Sequence, residues 1–204
     1  MTKAIVFDLG GVLIDLDPER CIKAFRENLG FERITEILDP CHQKGIYGDM
    51  EAGILSADEF RRQILAESRP GCTPEDVDRS MAALLVGMAP YKVQLLQELS
   101  ARYPLYALSN NNDISMARFH QIFEEMGLDW KHIFREELIS CNLKMLKPGP
   151  EIFREAVRRI GYAPEEILFV DDSMRNIDGA QAVGIQAAYY EQGADLRLIF
   201  KDLL

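Results

Sequence analysis

The feature that most constrains this chain is its opening segment. The apolar run from Ala4 to Phe7 ends at Asp8, and Gly10 and Gly11 follow closely. An apolar run bounded by turn residues is typical of a strand that is buried on both faces. Such a strand would place Asp8 at the C-terminal edge of a parallel sheet, where open α/β sheets bind ligands. Asp-x-Gly-Gly is also ordinary turn chemistry, so this segment alone leaves open whether Asp8 is functional or caps a turn.

The pattern of strands and helices predicts the fold class. Further strands are expected over residues 105–108, 138–140, 167–170 and 185–188, with helical spacing between them. Strands separated by helices indicate βαβ units and a doubly wound, Rossmann-like parallel sheet. Residues 16–89 instead show helical spacing, with helix starts at Ser56 and Thr73. We therefore expect an α/β core, residues 1–15 and 90–204, with an inserted all-helical cap over residues 16–89.

Composition argues against several classes of function. The 204 residues carry a net charge of -10, which disfavours a nucleic-acid partner because binding to phosphate backbones requires clustered Lys and Arg. No apolar run approaches the ~20 residues needed to cross a membrane, and a signal peptide's cleavage region is missing, so we expect a cytoplasmic protein. The cysteines contain no Cys-x-x-Cys pair and are expected to be reduced. They are Cys21, Cys41, Cys72 and Cys141. The oligomeric state is not predicted.

Polar side chains follow three of the predicted strands, where each strand ends. They are Asp8, Ser109 with Asn110, and Asp171 with Asp172. Parallel strands deliver such residues to one edge, so we expect them to converge. Clustered carboxylates repel one another unless a cation lies between them, and oxygen ligands suit Mg²⁺. A carboxylate can also be a nucleophile, while Ser109, Asn110 and Lys147 can hold phosphoryl oxygens. The residues therefore predict phosphoryl transfer through Asp8.

These residues resemble the four motifs of the haloacid dehalogenase superfamily, whose phosphatases carry them in this chain order. Asp8-Leu9-Gly10-Gly11-Val12 is similar to the first motif, which implies that Asp8 is the nucleophile and that the Gly10 carbonyl is a metal ligand. Ser109-Asn110 is similar to the second motif and Lys147-Pro148 to the third. Asp171-Asp172 resembles the fourth, whose acidic pair holds Mg²⁺. The resemblance covers essentially the whole chain and implies a Mg²⁺-dependent phosphatase for a small phosphorylated metabolite, such as a sugar phosphate.

Three positions depart from the family pattern. Gly10 stands where the family usually has an aspartate that protonates the leaving group, as in a small bacterial Asp-Leu-Gly subgroup that includes sugar-1-phosphate phosphatases. Lys144 stands where relatives commonly have Gly, and we expect it to be solvated. Asn176 replaces a common Asp and is expected to pack a helix or support the acidic pair. Asp15 and Asp17 are close enough to replace the missing acid, but a turn and a helix N-cap are the expected roles.

Two other functions stay open. A 2-haloacid dehalogenase would use the same aspartate without a metal, although the acidic pair favours phosphate. A non-catalytic phosphate-binding protein would have lost turnover when Gly10 replaced the acid. Candidate substrate contacts outside the motifs are Asp49, Glu51, Gly53, Arg20 and Arg175.

Overall fold

A five-stranded parallel sheet forms the centre of the molecule in a computed structural model that describes residues 1–38 and 45–204. Cys41 lies outside these ranges. The strands of the sheet are β1 (Ala4–Phe7), β4 (Leu105–Ser109), β5 (Phe134–Ile139), β6 (Ile167–Asp171) and β7 (Gln186–Tyr189), and a separate antiparallel pair consists of β2 (Asp15–Leu16) and β3 (Leu85–Gly87). The order in the sheet is β5-β4-β1-β6-β7, with every pairing parallel. The doubly wound α/β fold is therefore confirmed, and the fully buried β1 lies at its centre.

Helices flank the sheet and fill the inserted segment. They are α1 (Pro18–Ala24), α2 (Ile34–Ile37), α3 (Gly45–Glu51), α4 (Ala57–Ala66), α5 (Pro74–Ala82), α6 (Pro90–Ser100), α7 (Asp113–Glu125), α8 (Trp130–Ile133), α9 (Ser140–Leu143), α10 (Pro150–Ile160) and α11 (Met174–Ala182). Two predicted helix starts are correct, because Ser56 and Thr73 accept hydrogen bonds from the first turns of α4 and α5. The expected C-terminal helix is a 3₁₀ segment, Leu196–Phe200.

Residues 16–89, which we call the cap segment, contain α1 to α5. The apolar spacing of this segment predicts helix as far as Met88, and that prediction is wrong beyond Ala82. Leu85–Gly87 forms a strand instead, because it pairs with Asp15–Leu16. This pairing ties together the two ends of the cap segment, and a short pairing of this kind overrides local periodicity. The division into a core and a cap with these limits stays a prediction.

The apolar core extends from the sheet into the cap segment. One cluster of buried side chains includes Phe7 of β1 together with Phe25 and Phe60 of the cap segment. A second cluster, with Phe153 and Phe169, covers the other face of the sheet. The cap segment therefore shares one apolar cluster with the core and is not held only by its two connections. Among the described residues, no helix is long and apolar enough to cross a membrane, and Cys21, Cys72 and Cys141 are free thiols.

Candidate active site

The polar residues that follow the strands converge as expected. Asp8 follows β1, while Ser109 ends β4 and Asp171 ends β6, and these three strands are neighbours in the sheet. A cavity of about 680 Å³ opens at this edge. The predicted site residues that line it are Asp8, Gly10, Ser109, Asn110, Lys147 and Asp172. Asp171 is fully buried and lies against Lys147 rather than in the cavity wall.

Lys147 joins two of the carboxylates through a buried ammonium group. Its Nζ lies 3.0 Å from Asp8 Oδ1 and 2.7 Å from Asp171 Oδ2, and it donates to the Leu108 carbonyl at 2.9 Å. Burial lowers the pKa of Lys147, but the carboxylates of Asp171 and Asp8 outweigh that effect and raise the pKa from its usual value. Lys147 is therefore a fixed positive charge beside the Asp8 carboxylate.

Asp8 is held in one orientation and is difficult to ionise. The Leu9 amide donates to its Oδ1 at 2.7 Å. Burial raises the pKa of the Asp8 carboxyl to about 7; Lys147 opposes this rise, and Asp171 and Asp172 add to it. A buried carboxyl surrounded by like charges keeps its proton until a cation compensates the charge. The site therefore favours the binding of a cation beside Asp8.

The acidic residues form a cluster that fits a divalent cation. One carboxylate oxygen from each of Asp8, Asp171 and Asp172 lies within 4.8 Å of the others. With Lys147 charged and all three carboxylates ionised, these groups carry two net negative charges, which one divalent ion would balance. Gly11 has a φ of 77°, and a Cβ there would overlap Asp172 Oδ2, so the backbone approach requires glycine. The oxygen-only ligand set suits Mg²⁺.

Two asparagines support the charged groups. Asn110 Oδ1 accepts from the Lys147 amide at 2.8 Å, and Asn110 Nδ2 donates to the Lys147 carbonyl at 2.9 Å. Its side chain therefore positions Lys147. The predicted contact of Asn110 with phosphoryl oxygens stays a prediction, because Asn110 also lines the cavity and an amide nitrogen can donate two hydrogen bonds. Asn176 Nδ2 donates to both oxygens of Asp171, at 3.0 and 3.1 Å. This contact agrees with the supporting role expected of Asn176.

Neither of the two aspartates that closely follow Gly10 in the sequence takes the position that Gly10 leaves open. A Cβ at Gly10 would lie 3.1 Å from the Leu16 side chain, so an aspartate there would require Leu16 to shift. The Asp15 carboxylate pairs instead with Lys92 at 3.3 Å. Asp17 caps α1, as expected, by accepting from the Arg20 amide at 3.1 Å. The cavity wall includes neither Asp15 nor Asp17.

The candidates outside the motifs fall into two groups. Glu51 and Arg175 line the cavity. Asp49 and Arg20 are exposed and lie outside it, and the half-buried Gly53 also lies outside it. The structure also adds lining residues that the sequence did not single out, chiefly Tyr47, Leu84, Leu85, Asn111, Ser115, Phe119 and Gln192. In the sequence, these residues have the ordinary spacing of core or loop positions. They could not be recognised as cavity residues, because contacts across the cap segment create this wall.

Lys144 has a local explanation. Its φ of 55° is in the left-handed region, at the end of α9, and its side chain is exposed. Glycine adopts this conformation without steric cost, which agrees with the glycine that the family resemblance implies here. The expected solvated lysine is confirmed.

Comparison with known proteins supports the interpretation of the pocket. A family model described as haloacid dehalogenase-like hydrolase matches residues 2–184. The chain is 34% identical over 198 residues to D-ribitol-5-phosphate phosphatase of Bacteroides thetaiotaomicron, covering 97% of this chain and 96% of the relative. A haloacid dehalogenase family enzyme of Bacteroides thetaiotaomicron, solved with magnesium and inorganic phosphate, has a TM-score of 0.91 at 34% identity, covering 98% of this chain and 100% of that chain. A HAD-like family hydrolase of Porphyromonas gingivalis has a TM-score of 0.87 at 32% identity, covering 100% and 98% of the two chains.

Proposed function

Because this chain belongs to the haloacid dehalogenase-like hydrolase family, we propose that it is a Mg²⁺-dependent phosphatase that uses Asp8 as its nucleophile. The observation that carries the proposal is the Asp8 carboxylate in a cavity wall, 3.0 Å from the buried Lys147 ammonium and within an acidic cluster. The similar D-ribitol-5-phosphate phosphatase supports a small sugar or polyol phosphate as substrate. The similar structure solved with magnesium and phosphate supports the choice of metal.

The acidic cluster would hold the metal. Asp8, the Gly10 carbonyl and Asp172 are the proposed ligands, with Asp171 nearby. When bound, Mg²⁺ supplies positive charge that neutralises phosphoryl oxygens and keeps the Asp8 carboxylate ionised. The buried contacts of Asp171 with Lys147 and Asn176 hold the inner side of this cluster in place.

The proposed reaction has two displacements at phosphorus. An oxygen of Asp8 forms a bond to phosphorus while the bond from phosphorus to the ester oxygen breaks, and the leaving alkoxide takes a proton from solvent. Water then attacks phosphorus and returns one proton to solvent, and the bond between phosphorus and the Asp8 oxygen breaks. The products are the alcohol, inorganic phosphate and the original carboxylate.

Three groups would bind the phosphoryl oxygens. Lys147 offers its ammonium group, Ser109 its hydroxyl, and the segment at Asn110 its main chain. The Asn110 side chain also supports these groups, because its Oδ1 and one N–H of its Nδ2 are bonded to the main chain of Lys147. Charged and neutral donors fixed before the reaction stabilise the charge that develops on the transferred group.

One observation favours a second function. Gly10 provides no general acid, and a protein that binds phosphate esters without turning them over would tolerate this loss. A metal-independent 2-haloacid dehalogenase is less compatible with the clustered carboxylates, because without a cation they repel one another.

The test is a phosphate-release assay on purified protein with D-ribitol 5-phosphate and a panel of sugar phosphates. We expect turnover that requires Mg²⁺, stops in excess chelator and falls close to background in Asp8→Asn. Asp49→Asn is the matched control, because Asp49 is an exposed aspartate outside the cavity. Substrate binding without turnover would identify the non-catalytic alternative. Turnover of 2-haloacids, in place of phosphate esters, would identify the dehalogenase.

A further inference from the structure

A serine hydroxyl links the cap segment to the loop that follows β4. Ser140 is fully buried at the start of α9. Its Oγ accepts from the Asn111 amide at 2.9 Å, and it can donate to the Glu51 carbonyl at 2.6 Å or to the Asn111 carbonyl at 3.2 Å, of which Glu51 is the nearer acceptor. A hydroxyl can donate one hydrogen bond while it accepts another, so the contacts with the Glu51 carbonyl and the Asn111 amide coexist. Glu51 ends α3 in the cap segment, whereas Asn111 follows the phosphate-binding positions of the core.

A glycine makes a second contact beside the first. Gly53 has a φ of 67°, and a Cβ there would overlap the Cys141 carbonyl oxygen. Glycine is therefore required both for the backbone conformation and for the close approach of the two chain segments. We call the Ser140–Glu51 and Gly53–Cys141 pairs the cap contact.

The cap contact holds Glu51 in the cavity wall. Glu51 lines the same cavity as Asp8, and the residue is 5% exposed. Burial, followed by the neighbouring Glu51 carboxylate and its hydrogen bond, raises the pKa of Tyr47 well above its usual value. The wall around them is otherwise partly apolar, through Leu84, Leu85 and Phe119. A carboxyl group in such a wall can accept a hydrogen bond from a hydroxyl, whereas a second anionic group would be buried there without a compensating charge.

We propose that Ser140 is a positioning residue, which fixes Glu51 as the acceptor for a hydroxyl on an uncharged, hydroxyl-rich leaving group. The inference rests on the proposed phosphatase function and deepens it. A site built in this way would select monophosphate esters of neutral polyols or sugars over bisphosphates and phosphorylated acids. Arg175 also lines the cavity, but it is exposed on α11, whereas Glu51 is buried in the wall.

The test compares kcat/KM for D-ribitol 5-phosphate with kcat/KM for acetyl phosphate, whose leaving group has no hydroxyl. Glu51→Ala and Ser140→Ala should each lower the ratio of the two values about tenfold, because a lost buried hydrogen bond has roughly that effect. If Ser140 acts through Glu51, the double variant should have the same ratio as Glu51→Ala. Additive effects of the two substitutions would overturn the positioning role.

Two further variants test the same contact from the cap segment. Gly53→Ala should lower the ratio of the two kcat/KM values as Ser140→Ala does. It tests the cap contact if Ser140→Ala fails to fold. Gly71→Ala is the matched control, because Gly71 is also in the left-handed region, at φ 91°, but a Cβ there meets nothing within 4 Å. We expect this control to keep the wild-type ratio.

Other outcomes separate this inference from the proposed function. If Ser140→Ala lowers kcat/KM equally for both substrates, Ser140 acts on the catalytic loop through Asn111 and the inference is wrong. If the wild type hydrolyses acetyl phosphate with Mg²⁺ but neither Glu51→Ala nor Gly53→Ala changes the ratio, the phosphatase function stands and the inference fails. If the wild type hydrolyses neither ester, both fail.

Discussion

Replacing Lys147 with Met should strongly destabilise the metal-free protein. The Lys147 ammonium has three buried partners at 2.7 to 3.0 Å, namely the carboxylates of Asp8 and Asp171 and the Leu108 carbonyl. Methionine has a similar length but cannot neutralise a carboxylate. The substitution therefore leaves two buried acidic groups without their compensating charge.

The expected loss can be estimated from the burial of these groups. Removing one partner of a buried ion pair costs about 3–5 kcal/mol. For a chain of this length, ~1 kcal/mol changes Tm by about 2–4 °C, which predicts a decrease of roughly 6–20 °C. Lys92→Met is the matched control, because Lys92 is equally buried but has only longer contacts, at 3.3 Å to the half-exposed Asp15 and 3.4 Å to the Leu13 carbonyl. Water can solvate Asp15 after that change, so we expect a loss of about 1 kcal/mol.

The assay is thermal unfolding followed by far-UV circular dichroism, in chelator and then in Mg²⁺. The loss in Lys147→Met should shrink in Mg²⁺, because a divalent cation replaces the missing charge between the carboxylates. It should also shrink as the pH falls, because Asp8 then takes up a proton. A decrease in Tm no larger than that of Lys92→Met would refute the assignment of Lys147 as the charge that holds this site together.

Three further predictions concern the same site. The raised pKa of Asp8, about 7, means that folded Asp8 keeps a proton that the unfolded chain releases above pH 3.8; metal-free wild type should therefore lose stability relative to Asp8→Asn as pH rises through this window, and chemical denaturation showing the opposite trend would contradict the pKa shift. Gly11→Ala should weaken Mg²⁺ binding, measured by calorimetry, far more than Gly71→Ala does, because a Cβ at position 11 overlaps Asp172 Oδ2. Equal Mg²⁺ affinities of the two variants would exclude this close approach of the Gly11 backbone to Asp172. Because Gly10 supplies no general acid, which typically contributes ~10²- to 10⁴-fold, rates of Asp8 phosphorylation should fall steeply as the leaving-group pKa rises across a series of esters, and a flat series would mean that another group donates the proton.

The sheet and the edge that carries the candidate site could be predicted, because each depends on a pattern within a short stretch of sequence. Residues 4–7 are all apolar and are buried on both faces, so their pattern identifies β1 and places Asp8 at its end. The antiparallel pair could not be predicted in this way. Asp15–Leu16 and Leu85–Gly87 are too short to show a period, and they form strands because they meet across the cap segment.

The charged groups of the candidate site could be predicted from the sequence, but the contacts that each site residue makes could not. The side chain of Asn110 positions Lys147 because both of its polar atoms meet the main chain of that residue. The link between Ser140 and Glu51 joins residues 89 positions apart through a backbone carbonyl. Neither contact depends on a pattern that a sequence displays.

In the proposed reaction, Asp8 carries the phosphoryl group between the two displacements. The most direct measurement is acid quenching of the wild-type protein with Mg²⁺ and substrate during turnover, followed by peptide mass spectrometry. We predict one added phosphoryl group on the peptide that contains Asp8, located on that residue, and none in Asp8→Asn. Steady turnover with an unmodified Asp8 peptide, or turnover that persists in Asp8→Asn, would contradict the account.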